Sequence, residues 1–364
     1  MKSIIGIPKE IKLQEYRVAV TPTGVQELIK SGHTVYIETN AGLGSGYDDK
    51  KYLNAGARIV ENAEEVFQLA QLIVKVKEPQ ASEYKFITEK HTIFTYFHFA
   101  SSKSLTDAMI ASGSNCIAYE TVTASDGSLP LLIPMSQVAG RLASQLSAHY
   151  LLKPNLGKGK LMGGIPGTPP ANVMILGGGI VGMEAARVAA GMGANVSILD
   201  INPSRLNYLS NHLPSNVTTL FSNAENIQQQ LHNIDIIIGA VLIPGGKAPK
   251  LITNAMLADI PKGSVLLDVA VDQGGCIESV SPTTHEQPIK LINDVVHYGV
   301  PNMPGAVPMT STQALANTTL SHLLQLAYKG YKVACSENIH LKNGLNIEKG
   351  HITHERLKLD FDIM

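Results

Sequence analysis

The run Gly177-Gly178-Gly179-Ile180-Val181-Gly182 stands between a β-branched stretch at 173–176 and a segment with helical spacing; a second apolar stretch, 196–199, then ends on Asp200. Glycine at 177 permits a tight turn, glycine at 179 lets the backbone approach a pyrophosphate, and glycine at 182 lets helix and strand lie close together. The start of the helix offers free amides and the positive end of its dipole to phosphates. A carboxylate at Asp200 accepts hydrogen bonds from both ribose hydroxyls of an adenosine and repels a 2′-phosphate, which favours NAD over NADP. Arg205, a few residues on, works against that preference. A ligand-free βαβ turn is the competing reading, and the order of strand, glycines, helix and acid argues against it. Two other glycine-containing stretches read as plain loops. Gly42–Gly46 is followed by Asp48 and Asp49 where phosphates would sit, and Lys158-Gly159-Lys160 lacks phosphate-loop spacing.

In open parallel sheets, ligands bind beyond the carboxyl ends of the strands. That rule selects Lys77 after a strand predicted over 72–76, His98 after 93–97, and Asp272 after 265–269, together with Arg17 in IKLQEYRVAVTP after the first strand. A guanidinium and an ammonium suit a carboxylate, an imidazole gives and takes a proton near neutrality, and a carboxylate balances a developing cation. Each residue also has a plain reading. Arg17 can pair with Glu15 or Glu10 on the surface. Lys75 and Lys77 alternate on a strand, so one of them is expected to be solvated. Asp272 can cap a turn before Gly274-Gly275, Asp268 reads as a buried structural acid, and His98 is one of 12 histidines.

The elements that must carry these residues alternate. Strands are predicted at 4–7, 34–38, 72–76, 93–97 and 115–118, with helices at 23–30, 63–69 and 104–111 between them. A long helix is predicted from about 136, with Val138, Leu142, Leu146 and Tyr150 on one face. Strands at 173–176, 196–199, 217–220, 234–238 and 265–269 form a second series with helices between. A helix over 310–329 buries Leu315, Thr319, Leu320, Leu323 and Leu326 and ends at Gly330. The expected fold is α/β: two Rossmann-like, doubly wound parallel-sheet domains with a cleft between them, joined by two long helices. Residues 1–130 plus 309–364 would form a discontinuous substrate-binding and catalytic domain, and 131–308 the NAD-binding domain.

Composition narrows the classes further. The 364 residues carry 29 Lys plus Arg against 30 Asp plus Glu, a net charge of −1, which gives no basic excess for nucleic acid. Cys116, Cys276 and Cys335 are scattered, so neither a disulfide framework nor a thiolate metal site is expected. The apolar start meets Pro8, Lys9 and Glu10 too soon for a signal peptide, and no stretch reaches the roughly 20 residues of a membrane span. The histidines are dispersed, and His351 and His354 lack supporting acids, so no metal is expected. A reduced cytoplasmic protein is the expectation.

Over essentially its full length the chain resembles the L-alanine dehydrogenase family. The blocks that carry the resemblance are IGIPKEIKLQEYRVAVTP, LIVKVKEP, FTYFHFA, AYETV, LPLLIPMSQVAGRLA, MGGIPGTPPANVMILGGGIVG, IIIGAVLIPGGKAPKLI, DVAVDQGG and VPNMPGAVPMTST. The tail after about Asn343 matches least. By that resemblance Arg17 and Lys77 bind substrate, and His98 and Asp272 are the catalytic pair. The family's cofactor positions fall on Ser136, Ile180, Val181, Asp200, Arg205, Ser222, Val241, Leu242, Val269 and Asn302, beside Gly177, Gly179 and Gly182. The resemblance implies reversible oxidation of L-alanine to pyruvate and ammonium with NAD, in a homo-oligomer that is most often a hexamer. Three rival readings stand beside it. One is the NAD-binding portion of a proton-pumping transhydrogenase, whose chains lack the histidine of FTYFHFA. The others are an amino-acid dehydrogenase with a different substrate and an NAD-sensing scaffold without turnover.

Overall fold

A computed structural model of the chain describes residues 2–243 and 248–360. Positions 244–247, inside the IIIGAVLIPGGKAPKLI block, and those from 361 onward lie outside the described residues. The chain divides into two compact units, one of Met1–Met135 and Gly305–Met364, the other of Ser136–Pro304.

The first unit begins with β1 (Ile4–Ile7), α1 (Pro22–Lys30), β2 (Thr34–Glu38), α2 (Asp49–Asn54), β3 (Arg58–Val60) and α3 (Ala63–Leu69). It continues through β4 (Leu72–Val74), β5 (Thr92–Thr95), α4 (Lys103–Ser112) and β6 (Asn115–Ala118), and the chain leaves it within α5 (Ile133–Tyr150). The second unit holds β7 (Asn172–Leu176), α6 (Ile180–Gly191), β8 (Asn195–Asp200), α7 (Pro203–His212), β9 (Val217–Phe221) and α8 (Ala224–Leu231). It is completed by β10 (Ile236–Gly239), β11 (Val265–Asp268), β12 (Ile289–Ile292) and β13 (Val295–Tyr298). The chain then returns to the first unit with α9 (Pro308–Glu337), α10 (Ile339–Gly344), β14 (Leu345–Glu348), β15 (His351–Ile352) and α11 (Glu355–Asp360).

Among the described residues the first unit has an eight-stranded sheet in the order β15-β14-β6-β5-β4-β1-β2-β3, and the second a seven-stranded sheet in the order β12-β13-β11-β10-β7-β8-β9. The strands from β6 to β3 and from β13 to β9 are parallel, while β14 pairs antiparallel with both β6 and β15 at one edge and β12 pairs antiparallel with β13 at another. β4, β5, β6, β10 and β11 are buried throughout; β4 and β10 read as apolar runs rather than alternations, while β5, β6 and β11 also bury Thr92, Thr95, Asn115 and Asp268 at their ends. Ile73, Ile93, Phe97 and Met109 lie in the first core, and Met174, Leu199, Ile237 and Leu266 in the second. All three cysteines are buried thiols without a disulfide. Among the described residues no helix is long and apolar enough to cross a membrane.

The long helices differ from their predicted faces. In α5, Val138 and Leu142 are buried but Leu146 and Tyr150 are half-buried, and in α9 Leu320 is half-buried while Leu315, Thr319, Leu323 and Leu326 are buried. Gly330 does interrupt α9: its φ of 74° is left-handed, and a second helical stretch follows it.

Candidate active site

In the first unit the carboxyl ends of β1, β4, β5 and β6 share one edge of the sheet, and each end bears a charged or aromatic group. Arg17, in the loop after β1, is 2% exposed. Its Nε and Nη2 donate to Glu15 Oε1 and Oε2 at 2.6 and 2.5 Å, and its Nη1 donates to Met135 Sδ at 3.0 Å. The predicted pairing with Glu15 therefore exists, but in the interior and not on the surface. A bidentate, dehydrated pair holds the guanidinium plane in one orientation, and removal of one member leaves the other charge buried at a cost of about 3–5 kcal/mol.

Of the two alternating lysines, Lys75 is the interior one. It is fully buried, with its Nζ 3.3 Å from Glu10 Oε2 and 3.0 Å from Glu83 Oε1. Lys77 is half-buried, and among the described residues its ammonium has no hydrogen bond or ion pair. Burial, and then the like charges of Arg17 and Lys12, hold the Lys77 ammonium below the ordinary lysine value. An anion placed beside it would reverse that shift. Glu10 is nearly buried, and its Oε1 accepts from Val76 N at 2.6 Å and Lys77 N at 3.4 Å.

His98 is exposed, with its ring stacked on Tyr96 at 5.9 Å between centroids and 11° between planes. Tyr96 is fixed in turn by donating from its hydroxyl to Leu131 O at 2.5 Å. The backbone at His98 is left-handed, with φ 51°, an uncommon state for a side-chain-bearing residue. Glu120, just beyond β6, holds it there: its carboxylate accepts from Phe97 N at 3.2 Å and from His98 N at 2.5 Å. The strands also end earlier than predicted, β4 at Val74 and β5 at Thr95. Beyond those points Glu10 and Glu120 take backbone N–H groups of the segments leading to Lys77 and His98.

The second unit presents its own edge. Gly177 follows β7 with φ +97°, and a Cβ there would lie 2.7 Å from Ala240 O. At Gly182 a Cβ would come within 1.9 Å of Gly177 O, whereas at Gly179 it would meet nothing within 4 Å. Gly179 is the N-cap of α6 and supplies no side-chain acceptor to its first-turn amides. Asp200 ends β8, and its Oδ2 accepts from Gly178 N at 2.7 Å and its Oδ1 from Asn202 N at 2.8 Å. Arg205 reaches back to donate from Nε to Gly178 O at 2.5 Å. Half-buried Ser222 follows β9, half-buried Val241 and exposed Leu242 follow β10, and half-buried Val269 follows β11. Exposed Ile180 and half-buried Val181 open α6, and half-buried Asn302 lies past β13 with φ 54°. All of these stand at the carboxyl ends of parallel strands, whereas half-buried Ser136 lies on α5. This glycine cradle fits a dinucleotide: open above Gly179, closed beneath Gly177 and Gly182, with an acid at the next strand end.

Asp272 lies in the short turn after β11 and is exposed. Asp268 shapes that turn from inside, accepting from Ala270 N at 3.0 Å, Cys276 N at 2.7 Å and Ile277 N at 2.9 Å, as its reading as a buried structural acid required. The first unit thus gathers Arg17, Lys77 and His98 at one sheet edge, and the second gathers Asp272 with the glycine loop and Asp200 at another.

Two family models match the chain, alanine dehydrogenase/PNT N-terminal domain over residues 6–139 and alanine dehydrogenase/PNT C-terminal domain over residues 143–355. The chain belongs to the alanine dehydrogenase/PNT family. It is 51% identical to an alanine dehydrogenase of Methanococcus maripaludis and 48% identical to one of Mycolicibacterium smegmatis, in each case over 99% of this chain and 97% of the relative. A solved L-alanine dehydrogenase superimposes with a TM-score of 0.96 at 47% identity, covering 99% of this chain and 100% of the other. A solved transhydrogenase of Sinorhizobium meliloti reaches 0.82 at 26% identity, covering 97% of this chain and 99% of the other.

Within this member of the alanine dehydrogenase/PNT family, sequence reasoning passed over Glu120 and Tyr96 and treated Glu10 and Glu15 only as surface partners. The signal for Glu15 was its spacing in EYR, and for Tyr96 its period-two relation to His98 on a strand. Glu120 left no comparable local signal, because its partners lie on another strand.

Proposed function

We propose that this chain is an NAD-dependent L-alanine dehydrogenase that converts L-alanine, NAD⁺ and water into pyruvate, ammonium, NADH and a proton, reversibly. The observation that carries the reading is that the chain holds both a cationic edge in its first unit, Arg17 and Lys77 as an anion site beside His98, and a dinucleotide cradle in its second, the Gly177–Gly182 loop with Asp200. Similarity to alanine dehydrogenases over nearly the whole chain supports the substrate assignment.

When bound, NAD supplies the two-electron acceptor for the hydride of the amino-acid C2. Gly177, Gly179 and Gly182 shape the backbone to take the pyrophosphate, Asp200 holds the adenosine ribose, and Ile180, Val181, Ser222, Val241, Leu242, Val269, Asn302, Arg205 and Ser136 complete the cofactor site. Arg17 binds the substrate carboxylate through Nη1, displacing the weak thioether acceptor of Met135, while Glu15 keeps the guanidinium in plane. Lys77 meets the same carboxylate or the carbonyl oxygen that replaces the amine, and polarises C2.

Loss of hydride leaves an iminium, which water must attack before ammonium departs. His98 moves the protons of those steps at its exposed ring: it takes one from the attacking water and gives one to the leaving nitrogen. Asp272 contributes a negative charge that balances the cationic iminium. The protein acts in the cytoplasm as a homo-oligomer, a hexamer in this reading, with small molecules as its partners and no nucleic acid or membrane.

The test is steady-state. Protein mixed with NAD⁺ and single L-amino acids is followed by NADH absorbance; signal with alanine supports the reading, and turnover with another amino acid but none with alanine overturns it. A transhydrogenase role, which the 26%-identical structure brings into view, would instead give hydride exchange between two nucleotides without any amino acid.

A further inference from the structure

Directly beneath the cationic edge of the first unit lies a cluster that no step above uses. Lys75 is fully buried between two carboxylates, with Nζ at 3.3 Å from Glu10 Oε2 and 3.0 Å from Glu83 Oε1. Both carboxylates also grip the chain that follows β4. Glu10 Oε1 accepts from Val76 N at 2.6 Å and from Lys77 N at 3.4 Å, while Glu83 Oε2 accepts from Gln80 N at 2.7 Å. The loop that carries Lys77 is therefore moulded around one ammonium, and the grip nearest Lys77 comes from the loop after β1, which also bears Arg17.

We propose that Glu10 is a positioning residue for the amino-acid site: one of its oxygens accepts from the peptide N–H groups of Val76 and Lys77 and so fixes where the Lys77 ammonium stands. The inference rests on Lys77 acting at the substrate, as read above. With all three groups ionised the cluster has one negative charge in surplus, and burial, against the attraction of Lys75, pushes the Glu10 carboxyl up to about 7, so that a proton on Glu10 discharges part of the surplus near neutrality. Glu83 and Glu15 add their negative charge at Glu10, and its own charge is felt by Tyr119 and Arg17. A surplus charge of this kind is expensive to bury, so its retention is explained by what it holds rather than by stability. The acceptor oxygen and its reach matter, not the charge.

Two variants separate those possibilities. Glu10→Gln keeps the length and a carbonyl oxygen for Val76 N, removes the surplus charge and gives up the contact with Lys75, which keeps its ion pair with Glu83. Glu10→Asp keeps the charge but falls one methylene short. In pyruvate reduction Glu10→Asp is expected to raise the KM for pyruvate about tenfold with the KM for NADH unchanged, and Glu10→Gln to stay within about threefold of wild type. A merely structural loss lowers the active fraction, so kcat falls and neither KM moves. In a Lys77→Ala background Glu10→Asp should add nothing, because its effect runs through the missing ammonium. Hydrogen exchange on the unsubstituted enzyme gives a readout that does not depend on any variant folding: the Val76 amide is expected to be protected as strongly as its neighbours in β5.

A wild-type pyruvate KM in Glu10→Asp, a Glu10→Gln variant as impaired as Glu10→Asp, additive effects in the double variant, or a rapidly exchanging Val76 amide would each overturn the proposal. If Lys77→Ala alone leaves the pyruvate KM unchanged, the role of Lys77 fails and takes the Glu10 proposal with it. If Lys77→Ala raises that KM while the Glu10 results go the wrong way, only the Glu10 proposal fails.

Discussion

Gly179→Ala separates the binding role of the glycine loop from its folding role. Gly179 has φ −65° and ψ −163°, a conformation open to any residue, and a Cβ placed there meets nothing within 4 Å. Loss of a glycine from the unfolded chain stabilises by about 0.4–1 kcal/mol, and alanine is a poorer N-cap than glycine by a similar amount. Unfolding stability should therefore remain within about 1 kcal/mol of wild type. The new methyl group fills the space through which a phosphate reaches the first-turn amides of α6. Charge-assisted hydrogen bonds contribute about 1.5–3 kcal/mol each, so loss of one weakens NADH binding roughly 10–100-fold. Gly182→Ala is the control: its Cβ would lie 1.9 Å from Gly177 O, and relief of that clash by backbone movement costs about 1–3 kcal/mol of stability. Calorimetric titration with NADH, beside denaturant unfolding of both variants, makes the comparison. Wild-type NADH affinity in Gly179→Ala would refute the reasoning, as would a Gly179→Ala protein destabilised like Gly182→Ala.

Further expectations concern the substrate and ribose sites. His98→Ala should lower kcat by roughly 10²–10⁴-fold with NADH affinity intact in fluorescence titration; a variant turning over near the wild-type rate removes His98 from the proton transfers. Lys77 has its pKa depressed by burial and by Arg17 and Lys12, so it loses its proton below the usual lysine range as pH rises. The pyruvate KM should accordingly climb with pH before that range is reached, and Lys77→Arg should abolish the climb; a flat wild-type profile contradicts the assignment. Asp200→Asn combined with Ile201→Ala should raise the ratio of kcat/KM for NADP over NAD at least about tenfold, since the amide keeps an oxygen for Gly178 N but loses the charge that repels a 2′-phosphate. An unchanged ratio shows that Asp200 does not read the ribose.

The parallel cores were legible in the sequence because strands buried on both faces are mostly apolar and lack a polar alternation. β1, β2 and β6 coincide with their predicted ranges, and α3 with its helical spacing. The antiparallel edges were less visible, being short and partly polar, yet their turns left a trace. Asn293 and Asp294 both have positive φ between β12 and β13, as do Lys349 and Gly350 between β14 and β15; these are two-residue hairpin turns of the kind that asparagine, aspartate and glycine favour. The glycine loop was readable because its chemistry is local, with Asp200 reached through a single βαβ unit. The first unit's site was only half readable. Sequence placed Arg17 in the loop after the first strand and Lys77 and His98 at strand ends, and Glu15 orients Arg17 locally. The groups that hold the other two segments come from elsewhere in the chain: Glu120 grips His98 from just beyond β6, and Glu10 grips Val76 from the loop after β1. A lysine buried between two carboxylates looks, in sequence, the same as a solvated one.

Alanine deuterated at C2 gives the most direct measurement of the central claim, that a hydride passes from an amino acid to the dinucleotide. After turnover with NAD⁺, nuclear magnetic resonance of the reduced nucleotide should show one deuterium at nicotinamide C4 for each pyruvate formed. Reduced nucleotide without deuterium at that carbon, or deuterium arriving there only from a second labelled nucleotide, would contradict it.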